Sequence, residues 1–195
     1  TKNAFISIED KNFYNHKGVN YKRIVKAMLN NLKAGKLKEG GSTITQQLVK
    51  NTQLTSEKTF ERKIKEVALA QKIENKYTKD QILEQYLNII YFGNNCYGIE
   101  SAANYYFSKN AKDLSVEEAA MLAGLIKSPA KYSPIKNYDN SLSRRNLVLS
   151  EMNRDGLLST EEYNRAKNSD IKLNINGERK NRLNSYSQAA IDEAE

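Results

Sequence analysis

The chain has almost no cysteine or histidine. Cys96 and His16 are the single examples of their types among 195 residues. One cysteine excludes an intramolecular disulfide, and one of each argues against a zinc cluster. Serine–histidine or cysteine–histidine catalysis would have to use His16, and no candidate nucleophile lies near it in the sequence. Carboxylates are therefore the default catalytic groups, and Cys96 is interpreted as structural.

Proline is scarce, and long apolar runs are missing. The two prolines, Pro129 and Pro134, fall in one stretch after residue 128. The rest of the chain is free of this helix breaker, which favours a mostly helical protein. The longest uninterrupted apolar run, Ala119–Ile126, is far shorter than the roughly 20 residues that span a bilayer. We therefore expect a protein that is soluble or peripheral to a membrane.

Positive charge exceeds negative charge. The chain has 31 Lys and Arg against 23 Asp and Glu, a net charge of +8 at pH 7. This excess favours anionic partners such as nucleic acid, lipid headgroups or pyrophosphate, and it does not choose among them. The sequence begins at Thr1 without a methionine or signal peptide. We expect a piece of a longer protein, with any membrane anchor outside it.

Helix signals recur along the chain. Apolar spacing predicts helices within residues 20–36, 43–51, 56–76, 78–93, 99–107 and 115–128, and two more within residues 140–168 separated by Gly156. Gly35 and Ser56 are the predicted C-cap of the first and N-cap of the third of these helices. We expect the third helix to bury four side chains: Phe60, Ile64, Val67 and Ala68. No alternating stretch predicts a sheet.

The segment "EGGSTITQQLVKN", residues 39–51, has an unusual order of residue types. Gly40 and Gly41 allow backbone conformations that other residues resist, and Thr43 with Gln46 fits a capping box that would start a helix. Helical spacing then places four polar residues on one face: Thr43, Gln46, Gln47 and Lys50. The start of such a helix offers backbone N–H groups and a positive dipole end, which suit phosphate or another anion.

Five segments in order resemble the peptidoglycan glycosyltransferases of glycosyltransferase family 51, which occur alone or as the N-terminal module of bifunctional penicillin-binding proteins. They are "EDKNFYNHKG", "GGSTITQQLVKN", "RKIKE", "KDQILEQYLN" and "YGIESAANYYF". The resemblance covers Ile6 to about Ala166. It implies an all-α, lysozyme-like fold of two lobes, a larger head and a smaller jaw that dips into the membrane. We assign residues 1–170 to this domain and residues 171–195 to a tail that begins a linker to a further domain.

The resemblance implies polymerisation of lipid II into glycan strands, by inverting transfer that releases undecaprenyl pyrophosphate. The partners implied are lipid II, the lipid-linked glycan, an anionic membrane surface and a transpeptidase domain in the full-length protein, and no nucleic acid. The location implied is the outer face of the cytoplasmic membrane. No cofactor is fixed by the resemblance, which leaves open a divalent cation, Mg²⁺ or Mn²⁺. Residues between Asn20 and Leu37 mix apolar and basic types, and we expect them to face the membrane.

The resemblance also implies roles for individual residues. Glu9 matches the general base and Glu66 the second carboxylate, which assists the leaving group or orients the donor phosphates. The positions expected to bind sugar and pyrophosphate are Ser42, Thr43, Gln46, Gln47, Lys50, Asn51, Arg62 and Lys63. The positions expected to support the site are Asp10, Phe13, His16, Glu84 and Asn88. Arg62 and Glu66 are one helical turn apart, which independently favours their pairing.

Two other readings remain. A lysozyme-like enzyme that cleaves peptidoglycan would also use a glutamate in a helical lobe, but it would not need the cluster Lys50, Arg62 and Lys63, because its leaving group is a sugar hydroxyl. A non-enzymatic basic module that binds membrane or nucleic acid would concentrate its cations in one element, whereas here they are spread along the chain.

Overall fold

The computed structural model describes residues 1–34, 40–53 and 59–175, and these are built from helices. In chain order they are α1 Lys2–Glu9, α2 Tyr21–Ala34, α3 Ile44–Gln53, α4 Phe60–Lys76, α5 Lys79–Ile89, α6 Ile99–Phe107, α7 Val116–Leu125, α8 Tyr138–Arg154 and α9 Thr160–Asn168. The strand-like pairing in the described ranges is a single antiparallel bridge between Tyr91 and Tyr97. The all-α prediction is confirmed.

Helix α1 was not predicted from the sequence. Its N-cap, Thr1, makes no side-chain capping hydrogen bond, and its first turn has no acidic residue. The usual signals for the start of a helix are therefore missing. Burial of Ala4, Phe5 and Ile6 against α7 and α8 holds this short segment in place. The consequence for the site is that Glu9 is the last residue of a helix fixed to the protein core.

The core is assembled around α7, which is apolar on all sides from Ala119 to its end. Residues Ala119 to Leu125 are buried, between α1 on one side and α8 on another. Helix α5 adds a buried stripe of Ile82, Leu83, Tyr86 and Leu87. Full burial of a Leu or Phe side chain contributes about 1.5–3 kcal/mol, so these helices form the rigid part of the described chain. Helices α3 and α4 pack on α5.

The predicted buried face of α4 is wrong. Phe60 is 81% exposed and Ile64 is 56% exposed, and the buried residues of the helix are Glu66 and Ala70. Ala68 is exposed and Val67 is half-buried. The physical reason is that Glu66 finds cations and an amide on its own helix and on α3, which makes burial of its carboxylate favourable and turns the apolar stripe outward.

The ends of the helices mostly follow the sequence signals. Capping boxes are formed at Thr78, Ser115 and Ser159, each with a Gln or Glu three residues later. The N-cap of α4 is Thr59, whose hydroxyl accepts from the Arg62 N–H at 3.1 Å. The predicted caps Gly35 and Ser56 lie outside the described residues.

Helix α2 exposes apolar side chains as α4 does. Leu32 is 75% exposed, and Val25 and Leu29 are each more than half exposed. Lys22, Lys26 and Lys33 accompany them along a shallow groove on the same helix. None of the described helices is both long and apolar enough to cross a bilayer.

The chain after α9 remains attached to the core for several residues. Ile171 is buried, and its carbonyl accepts from the Tyr138 hydroxyl at 3.1 Å. The Asn174 N–H donates to the Tyr106 carbonyl at 2.9 Å. The boundary proposed at residue 170 stays a prediction, and residues 176–195 lie outside the described ranges.

Replacing Gly98 with alanine is expected to lower the free energy of unfolding by about 2–4 kcal/mol, because the added side chain would have to adopt a positive φ and would overlap with a backbone atom. Gly98 has φ +81°, and a Cβ there would lie 2.5 Å from the Asn88 carbonyl oxygen. Gly156→Ala is the matched control, since φ is +71° and no described heavy atom would lie within 4 Å of the added Cβ. That control should cost about 1–2 kcal/mol. Urea unfolding of both variants measures the difference, and equal losses would contradict the overlap.

Candidate active site

Glu9 lies at the carboxyl end of α1 and is half-buried. Its Oε2 accepts a hydrogen bond from Gln47 Nε2 at 2.7 Å. Its backbone carbonyl accepts from the guanidinium of Arg23 on α2. Within the described residues no cation forms an ion pair with the Glu9 carboxylate. The Glu9 carboxylate is thus oriented by a neutral amide rather than by a cation.

The neighbouring Asp10 is fully buried and has a different environment. Its Oδ2 accepts from His16 Nε2 at 2.8 Å and from the Ile44 N–H at 3.0 Å. Its Oδ1 lies 3.6 Å from Arg23 Nη1. A buried carboxylate needs such partners, because burying an unpaired charge is costly. Asp10 therefore ties together the loop after Glu9, α2 and the start of α3.

The start of α3 is not the open anion site that the sequence analysis expected. The predicted capping box is formed, with the Gln46 N–H donating to Thr43 Oγ1 and the Thr43 N–H donating to Gln46 Oε1, each at 3.1 Å. The Ile44 N–H is taken by the carboxylate of Asp10. The anion that satisfies this helix end is therefore a side chain of the protein itself.

The glycine pair before α3 also has a different use from the predicted one. A Cβ on Gly41 would lie 3.1 Å from Cα of Ile24, so the missing side chain lets the backbone of α2 approach. A Cβ on Gly40 would meet no described atom within 4 Å. Gly41 therefore serves helix packing next to the site.

Glu66 is 2% exposed and is surrounded by donors. Its Oε2 accepts from Arg62 Nη1 at 2.9 Å, and its Oε1 accepts from Lys63 Nζ and from Gln46 Nε2, the latter at 3.1 Å. Lys63 Nζ also donates to Ser42 Oγ at 2.9 Å. Two cations share one carboxylate, so this cluster retains a net positive charge next to α3.

The adjacent glutamines of α3 connect the two glutamates. Gln46 donates to Glu66 and Gln47 donates to Glu9, although the two residues are neighbours in sequence. Successive residues on a helix point about 100° apart, so one turn of α3 reaches both carboxylates. The structure thus brings the predicted residues Glu9, Glu66, Gln46 and Gln47 into one site.

Two of the predicted ligand-binding residues are enclosed. Thr43 and Gln46 are 0% exposed, and Thr43 Oγ1 donates to the Gly18 carbonyl at 2.6 Å. Both side chains are surrounded by protein atoms in this structure, and their contact with sugar or phosphate oxygens stays a prediction. The candidate binding residues that remain at least partly exposed are Ser42, Gln47, Lys50, Asn51, Arg62 and Lys63.

The predicted supporting residues divide into two groups. His16 and Phe13 contact each other edge to face, with ring centroids 6.2 Å apart, and His16 bonds Asp10. Glu84 and Asn88 are exposed on α5, two residues to either side of the buried Tyr86. That spacing places them on the opposite side of the helix from the site. The structure therefore does not bring Glu84 and Asn88 to it.

The contacts that three residues make around the site were missed in the sequence analysis. Arg23 contacts both Glu9 and Asp10, and Tyr86 donates its hydroxyl proton to Gln47 Oε1 at 3.2 Å. Glu74 accepts from Thr45 Oγ1 at 2.5 Å and from Lys79 Nζ at 2.7 Å. The Tyr86–Gln47 and Thr45–Glu74 hydrogen bonds join residues that are 39 and 29 positions apart in the chain. The only sequence signal for the role of Arg23 is that it is a basic residue shortly after the "EDKNFYNHKG" segment.

The carboxylates of the site do not fit a resident metal ion. In the described ranges no three His, Cys, Asp or Glu side chains are grouped so that they could hold one. Both oxygens of Glu66 already accept from cations. Asp10 Oδ2 accepts from His16 and Ile44, whereas Asp10 Oδ1 makes no hydrogen bond and lies 3.6 Å from Arg23 Nη1.

Comparison with known proteins gives a consistent result. A family model described as Transglycosylase matches residues 1–153. Penicillin-binding protein 1A of Aquifex aeolicus is 48% identical over 184 residues, 94% of this chain and 25% of that protein. Penicillin-binding protein 1F of Bacillus subtilis is 45% identical over 195 residues, 100% of this chain and 27% of that protein.

A crystal structure of Penicillin-Binding Protein 1A from Haemophilus influenzae matches with a TM-score of 0.49 and 35% identity, over 60% of this chain and 17% of that chain. This chain thus spans about a quarter of the length of the curated relatives it matches. The match of the family model to most of the chain, together with these identities, shows that the chain belongs to the transglycosylase family.

Proposed function

We propose that this chain polymerises lipid II into glycan strands, by transfer that inverts the anomeric carbon and releases undecaprenyl pyrophosphate. The observation that carries the proposal is the contrast between two glutamates joined by α3. Glu9 is held by a neutral amide, whereas Glu66 is buried among cations. The reaction requires one group that accepts a proton and another that stabilises a pyrophosphate, and the two environments match these needs.

In this scheme Glu9 is the general base. The 4-hydroxyl of the incoming sugar attacks the anomeric carbon of the lipid-linked donor, and its proton passes to the Glu9 carboxylate as the new bond forms. The bond to the pyrophosphate oxygen breaks in the same step, so no covalent enzyme intermediate is needed. The single hydrogen bond from Gln47 orients the carboxylate without neutralising it.

The cluster around Glu66 acts on the leaving group. Glu66 holds Arg62 and Lys63 in fixed positions, so their cations need little reorganisation when negative charge develops on the pyrophosphate. Lys50, one turn beyond Gln46 and Gln47 on α3 and exposed, adds a further positive charge. Ser42, Gln47 and Asn51 supply neutral donors for sugar and phosphate oxygens.

The apolar and basic surface of α2 fits a membrane. Val25, Leu29 and Leu32 are exposed beside Lys22, Lys26 and Lys33. Apolar side chains rimmed by lysines are typical of helices that lie at the surface of an anionic bilayer. We assign α2 and the outer face of α4 to the smaller, membrane-dipping lobe that the resemblance implies, and the helices around α7 to the larger lobe.

The wider setting follows from the same resemblance. We place the chain at the outer face of the cytoplasmic membrane, where lipid-linked precursors are polymerised. The relatives named as penicillin-binding proteins are much longer than this chain. We propose that the native protein joins this domain to a transpeptidase domain, the part that would bind penicillin.

The proposal is tested by incubating the chain with labelled lipid II in detergent or in bilayers. We expect glycan polymer to form and undecaprenyl pyrophosphate to be released, one lipid pyrophosphate for each bond made. In parallel, preformed glycan strands are given to the same chain. Shortening of those strands without polymerisation of lipid II would instead support a lysozyme-like cleaving enzyme, and binding of nucleic acid without either reaction would support a basic binding module.

A further inference from the structure

Behind Gln47 lies a buried tyrosine that has no place in the scheme above. Tyr86 is on α5, is 0% exposed, and directs its hydroxyl at Gln47 Oε1. We propose, on the basis of the proposed function, that Tyr86 is a positioning residue, which holds the Gln47 amide so that Nε2 faces Glu9. We call this chain of two hydrogen bonds the path: the Tyr86 hydroxyl donates to Gln47 Oε1, and Gln47 Nε2 donates to the Glu9 carboxylate.

Both ends of the path select the same orientation of the amide. An ionised carboxylate only accepts hydrogen bonds, so Glu9 requires the amide nitrogen on its side. A phenol that keeps its proton is a good donor, so Tyr86 favours the amide oxygen on the other side. Turning the amide by 180° would place Gln47 Oε1 against the negatively charged Glu9, at the present 2.7 Å contact.

The phenol of Tyr86 stays protonated over the pH range around neutrality in which the assays are run. Burial raises the pKa of Tyr86 well above its ordinary value, and the negative charges of Glu9 and Asp10 raise it further. Since the phenol remains a donor, its preference for the amide oxygen does not change with pH.

The other glutamine is oriented in a parallel way. Gln46 Oε1 accepts from the Thr43 N–H, and this places Gln46 Nε2 on Glu66. Each of the two glutamates is thus met by an amide whose oxygen has its own donor. For Gln46 that donor is a backbone group, whereas for Gln47 it is a side chain that can be changed by mutation.

Tyr86→Phe tests the proposal because it removes only the hydroxyl. We expect kcat for lipid II polymerisation to fall about 3- to 10-fold with little change in KM, the size expected for one hydrogen bond acting through a second residue. The acid limb of the kcat/KM profile should move to higher pH, since a loosened amide stabilises the ionised base less well. The charged groups next to Glu9 include Arg23, which donates to its carbonyl, and Asp10, which pairs with Arg23 and His16, and the variant removes none of these contacts.

Tyr106→Phe is the matched control. Tyr106 is also 0% exposed, and its hydroxyl donates to the Phe92 carbonyl at 2.9 Å, away from the site. We expect this variant to lose stability and to keep the parent's pH profile. A double-mutant cycle with Gln47→Ala then tests whether Tyr86 acts through Gln47. If it does, Tyr86→Phe should have no further effect once the amide is gone. Tyr106→Phe should have the same effect in both backgrounds.

A readout without substrate separates this inference from the proposed function. The side-chain N–H₂ signals of Gln47 in ¹⁵N-labelled protein should shift as Glu9 titrates, and Tyr86→Phe should broaden or move them. If they respond and no polymer forms, the positioning holds and the proposed function fails. If Tyr86→Phe leaves these signals and the pH profile unchanged, or adds its full effect to Gln47→Ala, the positioning role is wrong.

Discussion

Glu9→Gln is expected to reduce polymerisation of lipid II by about 10²–10⁴-fold, the range typical of a lost general base. The substitution keeps the shape of the side chain, and the new amide can still accept from Gln47 Nε2 through its own oxygen. It removes the ability to take up the proton of the attacking hydroxyl. The rate is measured as polymer formed and lipid pyrophosphate released at saturating lipid II, where the loss should lie in kcat.

Glu161→Gln is the matched control for this change. Glu161 is exposed in the first turn of α9, outside the site, so the same loss of one negative charge should leave the rate unchanged. Circular dichroism and the unfolding midpoint show whether Glu9→Gln keeps its fold. A folded Glu9→Gln protein that retains more than about a tenth of the parent's rate would remove Glu9 from the role of base.

Asp10→Ala should cost about 3–5 kcal/mol of folding free energy, because hydrogen bonds to a charged group contribute about 1.5–3 kcal/mol each and the Ile44 N–H would be left without its acceptor. Asp10 is fully buried and is shared by His16, Ile44 and Arg23. Catalysis should fall as well, since Arg23 and the end of α1 lose their common partner. Urea unfolding measures the first effect and the polymerisation assay the second.

Two variants bracket this prediction. Asp80→Ala also removes a carboxylate that accepts from a lysine and a tyrosine, but Asp80 is exposed, so we expect a much smaller loss of stability. Asp10→Asn keeps one oxygen for the Ile44 N–H and should fall between the parent and Asp10→Ala. Equal unfolding free energies for Asp10→Ala and Asp80→Ala would show that Asp10 does not organise the site.

The members of the site were largely predictable from sequence. Glu9, Gln47, Arg62 and Glu66 belong to segments whose order and spacing are specific, and the structure brings them together. Helix α3 was also predictable, because its capping box and periodicity are local. Local signals depend on residues three or four apart, which a single sequence displays directly.

The contacts that determine which side chains are buried could not be predicted from local sequence signals. The orientation of α4 depends on Gln46, 20 residues before Glu66, and the anion at the start of α3 is Asp10, 34 residues before Ile44. Apolar periodicity identifies which face of a helix is hydrophobic. It does not show whether another helix packs against that face. In α4 a buried ion cluster takes the inner position, and Phe60 and Ile64 remain outside.

Arg23 links the site residues Glu9 and Asp10 to α2, the helix whose apolar side chains are exposed. It lies in the first turn of α2, and Leu32 lies in the last, on a helix about 21 Å long. A tilt that sank the far end of this helix would move the guanidinium away from the Glu9 carbonyl and from Asp10 at once. If α2 lies in the membrane as proposed, its depth and the placement of the Glu9 backbone are therefore not independent, and the thickness of the surrounding lipid would change the proposed reaction rate.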